Sequence, residues 1–268
     1  MDHGTNAPST THWSRLVLIG LGAGVLAGTF GVGGGIVLVP LLMAVAGFDR
    51  HRAHATSLAA IVIVAINGVI AYALAGEIDF LVGVFAGVGG VVGSVVGASV
   101  MHRISARSLA VIFAAVLVVA GFRMVLGGEP AADAAELSAT VQAVVGLAVG
   151  IISGVVAGLA GVGGGVIIVP ALVLFLGLGQ HVAQGTSLLA IVATAVSASA
   201  INLRNQRLVP FQGLVIGAGG AIGVLLGARL ALGADAAVLT KAFGALVLVE
   251  ASRILWRVWS RRTSLTGD

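Results

Sequence analysis

One block of this chain occurs twice. Gly28-Thr-Phe-Gly-Val-Gly-Gly-Gly-Ile-Val-Leu-Val-Pro40 returns as Gly158-Leu-Ala-Gly-Val-Gly-Gly-Gly-Val-Ile-Ile-Val-Pro170, 130 residues later. The same offset carries Thr56-Ser57-Leu58 onto Thr186-Ser187-Leu188 and His51 onto His181. It also carries Gly83, Gly87, Gly89, Gly90, Gly93 and Gly97 onto Gly213, Gly217, Gly219, Gly220, Gly223 and Gly227. One glycine cluster could recur by chance, but three separated blocks in a single ungapped register mark an internal duplication.

The material between these landmarks is too apolar for a water-soluble fold. Charged residues make up 9% of the chain and hydrophobic ones 59%. Soluble domains carry about 25% charged residues. Disorder requires the opposite bias. The basic balance, formal net charge +4, does not point to nucleic acid, because most arginines stand at the ends of apolar runs. Cysteine is absent, which removes disulfides, thiol nucleophiles and thiolate metal sites. The expected class is an all-α polytopic membrane protein lying in a lipid bilayer, with no nucleic-acid partner.

The expected organisation has five parts. A polar tail covers 1–15, repeat one 16–126, a polar linker 127–138, repeat two 139–258, and a second tail 259–268. Polar Met1 to Arg15 followed by a long glycine-rich run reads as a retained first helix and not as a cleaved signal peptide. Repeat one holds five apolar segments, about 16–30, 34–47, 54–75, 80–101 and 105–126. A spanning helix needs about 20 residues, so the last three qualify. The first two are short and meet at Gly31–Gly35, which reads as a broken or re-entrant helix pair. Repeat two reads the same way, with its break at Gly161–Gly165.

Charge separates two topologies. If each short pair is a hairpin, each repeat crosses an odd number of times and the repeats are inverted. Arg15, Arg50, Arg52, Arg103, Arg107, Arg204, Arg207, Arg253, Arg257, Arg261 and Arg262 then share one side, against Arg123, Arg229 and Lys241 on the other. If each pair is one broken span, the repeats are parallel, four of these arginines change sides and the bias nearly vanishes. The positive-inside rule selects the inverted arrangement. Both termini are then cytoplasmic, and the linker acids Glu129, Asp133 and Glu136 lie outside with Glu77, Asp79 and Asp235.

The glycine clusters are the candidate binding site. Irregular backbone survives at membrane depth only where it is buried in protein or lines a cavity. A helix starting near Gly35 directs free N–H groups and a partial positive charge inward. Glycines let an anion approach those groups. Two such ends from inverted repeats would meet near the midplane, a common layout for a secondary-transporter site. The expected substrate-binding residues are Gly31, Gly33, Gly34, Gly35, Thr56 and Ser57, with their counterparts Gly161, Gly163, Gly164, Gly165, Thr186 and Ser187. The competing reading has the glycines serving tight packing and the hydroxyls capping a helix. No Lys-Ser/Thr follows the clusters, so they are not nucleotide loops.

Other features read more plainly. The four-residue ladders Gly89/Gly93/Gly97 and Gly219/Gly223/Gly227 fit close helix packing. Asn67, Tyr72, Thr194, Ser197, Ser199 and Asn202 add polar groups along the third segment of each repeat, where interhelical hydrogen bonds are expected. Glu250 lies three residues before Arg253, so an ion pair is expected, with proton coupling as the alternative role. His51 and His54 among arginines make a poor metal site. No paired carboxylates, Ser/His/Asp set or metal-ligand cluster supports an enzyme, a metal or a cofactor.

The doubled Gly-x-Gly-Gly-Gly-x-x-x-x-Pro block (Gly31 to Pro40; Gly161 to Pro170) followed by Ala-x-x-Thr-Ser-Leu (Ala53 to Leu58; Ala183 to Leu188) resembles the TauE/SafE sulfite-exporter family. The resemblance covers about residues 16–258. It implies a bacterial inner-membrane permease that exports sulfite, sulfoacetate or related sulfur-containing anions. The polar residues past 66 differ between the halves. Beside this secondary transporter stand two other readings of the residues. One is a passive channel for a small anion or neutral solute. The other is a membrane scaffold that transports nothing.

Overall fold

A computed structural model describes residues 11–100, 106–127, 137–160, 164–204 and 210–263. It contains ten α-helices and, among the described residues, no strand. Repeat one supplies α1 (Thr11–Phe30), α2 (Gly35–Ala46), α3 (Arg50–Leu74), α4 (Phe80–Val100) and α5 (Ala106–Leu126). Repeat two supplies α6 (Ala139–Ala160), α7 (Gly165–Leu176), α8 (Gln180–Arg204), α9 (Pro210–Leu232) and α10 (Ala236–Thr263). Windows in α1, α3, α6, α8 and α9 are long and apolar enough to cross a membrane. Leu74, Phe80, Val119, Leu230 and many other large apolar side chains face outward, as lipid-facing side chains do in a multi-pass membrane protein.

The first helix is longer than its apolar run. α1 starts at Thr11 and includes His12, Trp13, Ser14 and Arg15, so it has 20 residues. Only α2 and α7, with 12 residues each, are half-length. α10 likewise runs past residue 258 to Thr263. Hydropathy marks where a helix leaves hydrocarbon, whereas the backbone keeps its hydrogen-bond ladder into the polar interface.

The chain's turns are built by specific residues. α2 and α7 each end on a left-handed glycine, Gly47 (φ 69°) and Gly177 (φ 65°), after which Phe48 and Leu178 donate back to Leu42 and Leu172. Asp49 caps α3 by accepting the Arg52 N–H at 3.0 Å. That bond, with nearby His51 and Arg52, holds its carboxyl below the usual aspartate range. Thr56 and Ser57 therefore lie in the second turn of α3 and do not cap it. Pro40 and Pro170 are the sixth residues of α2 and α7, inside the helices and beyond the first turn. Each leaves the carbonyl four residues earlier without a helical donor.

The repeats exchange helices. α1 packs along α9, and α6 packs along α4. A Cβ on Gly20, Gly24 or Gly28 would collide with the backbone of Ile216, Gly220 or Val224, and one on Gly219, Gly223 or Gly227 with that of Val17, Leu21 or Val25. Gly150 and Gly154 meet Ala86 and Gly90, while Gly89 and Gly93 meet Leu147 and Ile151. The ladders are thus packing surfaces, as their spacing implies. Gly97's surroundings lie outside the described residues.

These contacts also give direction. Residue numbers rise together across α1/α9 and α4/α6, so those pairs are parallel. α3 and α8, equivalent helices, run antiparallel: Gly68 lies against Leu188, and Tyr72 against Gln184. α5 and α10 are antiparallel too, with Gly121 against Leu248 and Gly244 against Met124. α2 packs against α1 and α3, and α7 against α6 and α8.

Candidate functional site

Both breaks are made by left-handed backbone. Gly31, Gly33 and Gly34 have φ of 68°, 69° and 77°, and Gly164 has 74°. A non-glycine residue pays about 1–2 kcal/mol for such a conformation. Each half-helix then opens on its glycine. The first intrahelical donors of α2, Val37 and Leu38, both reach the carbonyl of Gly34, and Ile167 and Ile168 reach that of Gly164. The N–H groups ahead of them, on Gly35, Ile36, Gly165 and Val166, precede the helical ladder.

The two breaks meet. A Cβ on Gly165 would lie 2.7 Å from Cα of Val32 and 2.8 Å from Ile191 Cδ1. One on Gly33 would lie 3.0 Å from Ile191 Cγ2 and 3.5 Å from Ile61 Cγ2. Ile61 and Ile191 are repeat equivalents at the middle of α3 and α8. Val32, Gly33, Gly34, Gly35, Gly164 and Gly165 are all buried, so the meeting point is closed. Gly161 and Gly163 lie outside the described residues.

The hydroxyls divide. Ser187 Oγ donates to the carbonyl of Gly31 at 2.9 Å, which puts it at the first break. Thr186 Oγ1 accepts the N–H of Asp79 at 2.9 Å and so anchors the α3–α4 loop. Ser57 donates to His54 O of its own helix at 2.8 Å. Thr56 is fully buried, and its hydroxyl oxygen has no hydrogen-bond partner.

Two further residues serve the first break: Gln184, which the pattern of glycines and hydroxyls did not mark, and Tyr72, whose interhelical bonding is as expected. α1 ends deep in the protein, where an unpaired carbonyl costs several kcal/mol in a lipid-like medium. Gln184 Nε2 donates to Thr29 O at 2.9 Å. Tyr72 Oη has two acceptors in reach, Gly28 O at 2.7 Å and Gln184 Oε1 at 2.9 Å, for its single proton. The signal for Gln184 was its position one helical turn before Ser187. By contrast Asn67, Thr194 and Asn202 donate to carbonyls of their own helices, Ile63, Ala190 or Ile191, and Ala198, instead of bridging helices.

Elsewhere the chemistry is sparse. Among the described residues no three His, Asp or Glu side chains cluster as metal ligands. Arg253 Nη1 donates to Glu250 Oε1 at 2.7 Å, the pairing their spacing implies. His181 Nε2 lies 2.9 Å from Ala231 O, tying α8 to the end of α9. A cavity of about 520 Å³ between α5, α6 and α7 is almost wholly apolar, lined by Ala120, Ile167, Pro170 and Leu174.

Ten helices, five of them with windows long and apolar enough to cross a membrane, define a polytopic helical membrane protein. Comparison with known proteins gives the family. The model of the sulfite exporter TauE/SafE family matches residues 2–124 and 146–267. A probable membrane transporter protein of Xylella fastidiosa strain Temecula1 is 32% identical over 257 residues, 92% of this chain and 97% of the relative. Its counterpart in Xylella fastidiosa strain 9a5c is 33% identical over the same shares. A probable membrane transporter protein of Methanocaldococcus jannaschii is 29% identical over 119 residues, covering 41% of this chain and 44% of the relative. No solved structure matches the chain. The chain belongs to the TauE/SafE family, a family of membrane transporters.

Proposed function

We propose that this protein is a secondary transporter that exports a small anion, sulfite, sulfoacetate or a related sulfur-containing anion, by alternating access. The observation that carries the reading is the meeting of the two half-helix N-termini, with Gly165 against Val32 and Ile191 beside both breaks. Backbone N–H groups of Gly35, Ile36, Gly165 and Val166 then hold the anion with little formal charge nearby. Gly31, Gly33 and Gly34, with Gly161, Gly163 and Gly164, let it approach. Ser187 fixes the first break, and its equivalent Ser57 stands in the same place on α3. Thr186 serves the α3–α4 loop, and Thr56 keeps a hydroxyl for a ligand or the opposite loop.

The antiparallel packing of α3 on α8 and of α5 on α10 supports inverted repeats, with the pseudo-two-fold axis in the membrane plane. Together with the arginine bias, that packing supports a reading in which both termini lie in the cytoplasm, in a bacterial inner membrane. The helix exchange supports one choice of rocking units. They are α1–α3 with α9, and α6–α8 with α4, because the glycine ladders fuse each first helix to the other repeat's fourth helix. The Glu250–Arg253 ion pair favours a structural role for Glu250 over proton coupling.

Uptake of labelled sulfite, sulfoacetate, sulfate and acetate into proteoliposomes, with and without a proton gradient, tests the reading. Saturable flux of a sulfur oxyanion is expected. Absence of flux for every anion, from folded protein, would contradict it.

A further inference from the structure

Two arginines stand at the mouths of apolar grooves on the face that carries Glu77 and Asp79. α9 runs beside α3 in the same direction, with Gly217 against Ile63 and Val224 against Gly68, so both helices end on that face. α10 starts there and is antiparallel to α5, so α5 ends there too. Arg123 lies in the last turn of α5 and Arg229 in the last turn of α9. Both are exposed.

The first groove is the cavity of about 520 Å³ between α5, α6 and α7. Its α5 wall is one helical stripe of Ala115, Val116, Val119, Ala120 and Arg123. Its α7 wall is Ile167, Pro170, Ala171, Leu174 and Phe175, again at helical spacing. α7 points its C-terminus at the same face, because α8 follows after a short turn and a Cβ on Gly185 would collide with Glu77 O. Arg123 and Phe175 therefore mark the outer end of the groove, and Ala115 and Ile167 the inner end. The rise from Ala115 to Arg123 is about 12 Å of helix. One leaflet of hydrocarbon is about 15 Å deep, half of the bilayer core. The groove opens outward between Val116, Val119, Ile152 and Phe175, all of them exposed.

The second groove, of about 430 Å³, repeats this plan between α3 and α9. Leu74, Ile222, Leu225 and Leu226 line it, and Arg229 stands at its outer end beside Leu232. An arginine in a last turn complements the helix dipole wherever it stands. The dipole does not require an apolar trough beneath the arginine. Here there are two, each running from a guanidinium toward the middle of the bilayer and each open to lipid. An acyl chain fills such a trough, and a guanidinium at headgroup level pairs with a phosphate. Charge complementarity selects an anionic headgroup over a zwitterionic one.

We propose that the two grooves are binding sites for anionic phospholipid, with an acyl chain in each trough and the lipid phosphate on Arg123 in one and on Arg229 in the other. In the first groove the chain packs on α7, the half-helix that opens the second break. The lipid braces that helix where Pro170 interrupts its hydrogen-bond ladder. The proposal does not depend on the transport reading.

Native mass spectrometry of the full chain in mild detergent tests it, with titration of phosphatidylglycerol or of phosphatidylcholine with the same acyl chains. Two phosphatidylglycerol molecules are expected to bind ahead of the rest and more tightly than phosphatidylcholine. Arg123→Gln and Arg229→Gln should each weaken one of the two about five-fold, the factor for one arginine at an anionic surface. Ala115→Phe, at an exposed position, keeps Arg123 but fills the inner end of the first groove, and should weaken one lipid likewise. Arg15→Gln, an exposed cation on the opposite face, should change neither. Equal binding of the two lipids, or unchanged binding in both arginine variants, would overturn the proposal. So would a loss in Arg123→Gln with none in Ala115→Phe, which is attraction to surface charge alone. A dimer that excludes the lipid, a second copy seated in the groove, would overturn it as well.

Discussion

Gly165, the first residue of α7, lies so close to Val32 in the opposite break that a Cβ on it would sit 2.7 Å from the Val32 Cα. Its backbone is ordinary helix, so a methyl there adds no conformational strain and acts only by pushing the two breaks apart. Gly165→Ala is expected to leave the protein folded in detergent and to lower anion flux about ten-fold or more. That is the factor given when one well-placed backbone donor, worth about 1–3 kcal/mol, is displaced from the anion as the breaks move apart. Flux and size-exclusion profiles measured together check this.

Gly34 and Gly164 act through conformation instead. Their φ values of 77° and 74° belong to the left-handed region, and a Cβ on Gly34 would also come within 3.0 Å of Ala23 O. Gly34→Leu and Gly164→Leu each carry about 1–2 kcal/mol of backbone strain. They should abolish transport while the helix content by circular dichroism stays near that of the parent. Unchanged flux in both variants would remove the breaks from the mechanism.

The helix exchange makes a stability prediction. Gly24 sits against the backbone of Gly220, whereas Gly22 on the same helix meets nothing within 4 Å. Gly24→Ala should destabilise the protein by about 1–3 kcal/mol, the usual cost of overpacking. Gly22→Ala should be neutral or stabilise by up to about 1 kcal/mol through helix propensity. Thermal unfolding of the two variants in one detergent gives the contrast.

Inverted repeats place equivalent loops on opposite faces. Ala75→Cys in the α3–α4 loop and Asn205→Cys between α8 and α9 should therefore react with an impermeant reagent from opposite sides of the membrane. Reaction of both from the same side would require parallel repeats and would remove the two-fold axis in the membrane plane.

Much of this was legible in the chain. The duplicated Gly-x-Gly-Gly-Gly block marked both breaks, because only glycine tolerates the left-handed backbone found at Gly31, Gly33, Gly34 and Gly164. The ladders on α4 and α9 announced close packing by their four-residue period. Their partners were not legible. The matching glycines Gly20, Gly24 and Gly28 hide in an equally glycine-rich run, and periodicity on one helix does not say which other helix it meets. The hydroxyl pairs were half legible. Thr186 and Ser187 are neighbours in sequence, but a 100° step around the helix sends one to a loop amide and the other to the break. Tyr72 was legible as an interhelical hydrogen-bonding residue, which it is, but its partners, and the role of Gln184 altogether, were hidden for a different reason. Their role is to satisfy carbonyls at the end of α1, and the sequence does not show how deep in the protein that helix ends.

The most direct test of the central claim, a small-anion carrier site at the meeting of the two breaks, is counterflow. Proteoliposomes are preloaded with unlabelled sulfite, and entry of labelled sulfite is followed for the parent protein and for Gly165→Ala. The account predicts transient accumulation of label above equilibrium, saturating with sulfite concentration, and its loss in the variant. Sulfite entry that neither saturates nor responds to the preload, or counterflow that Gly165→Ala leaves untouched, would contradict it.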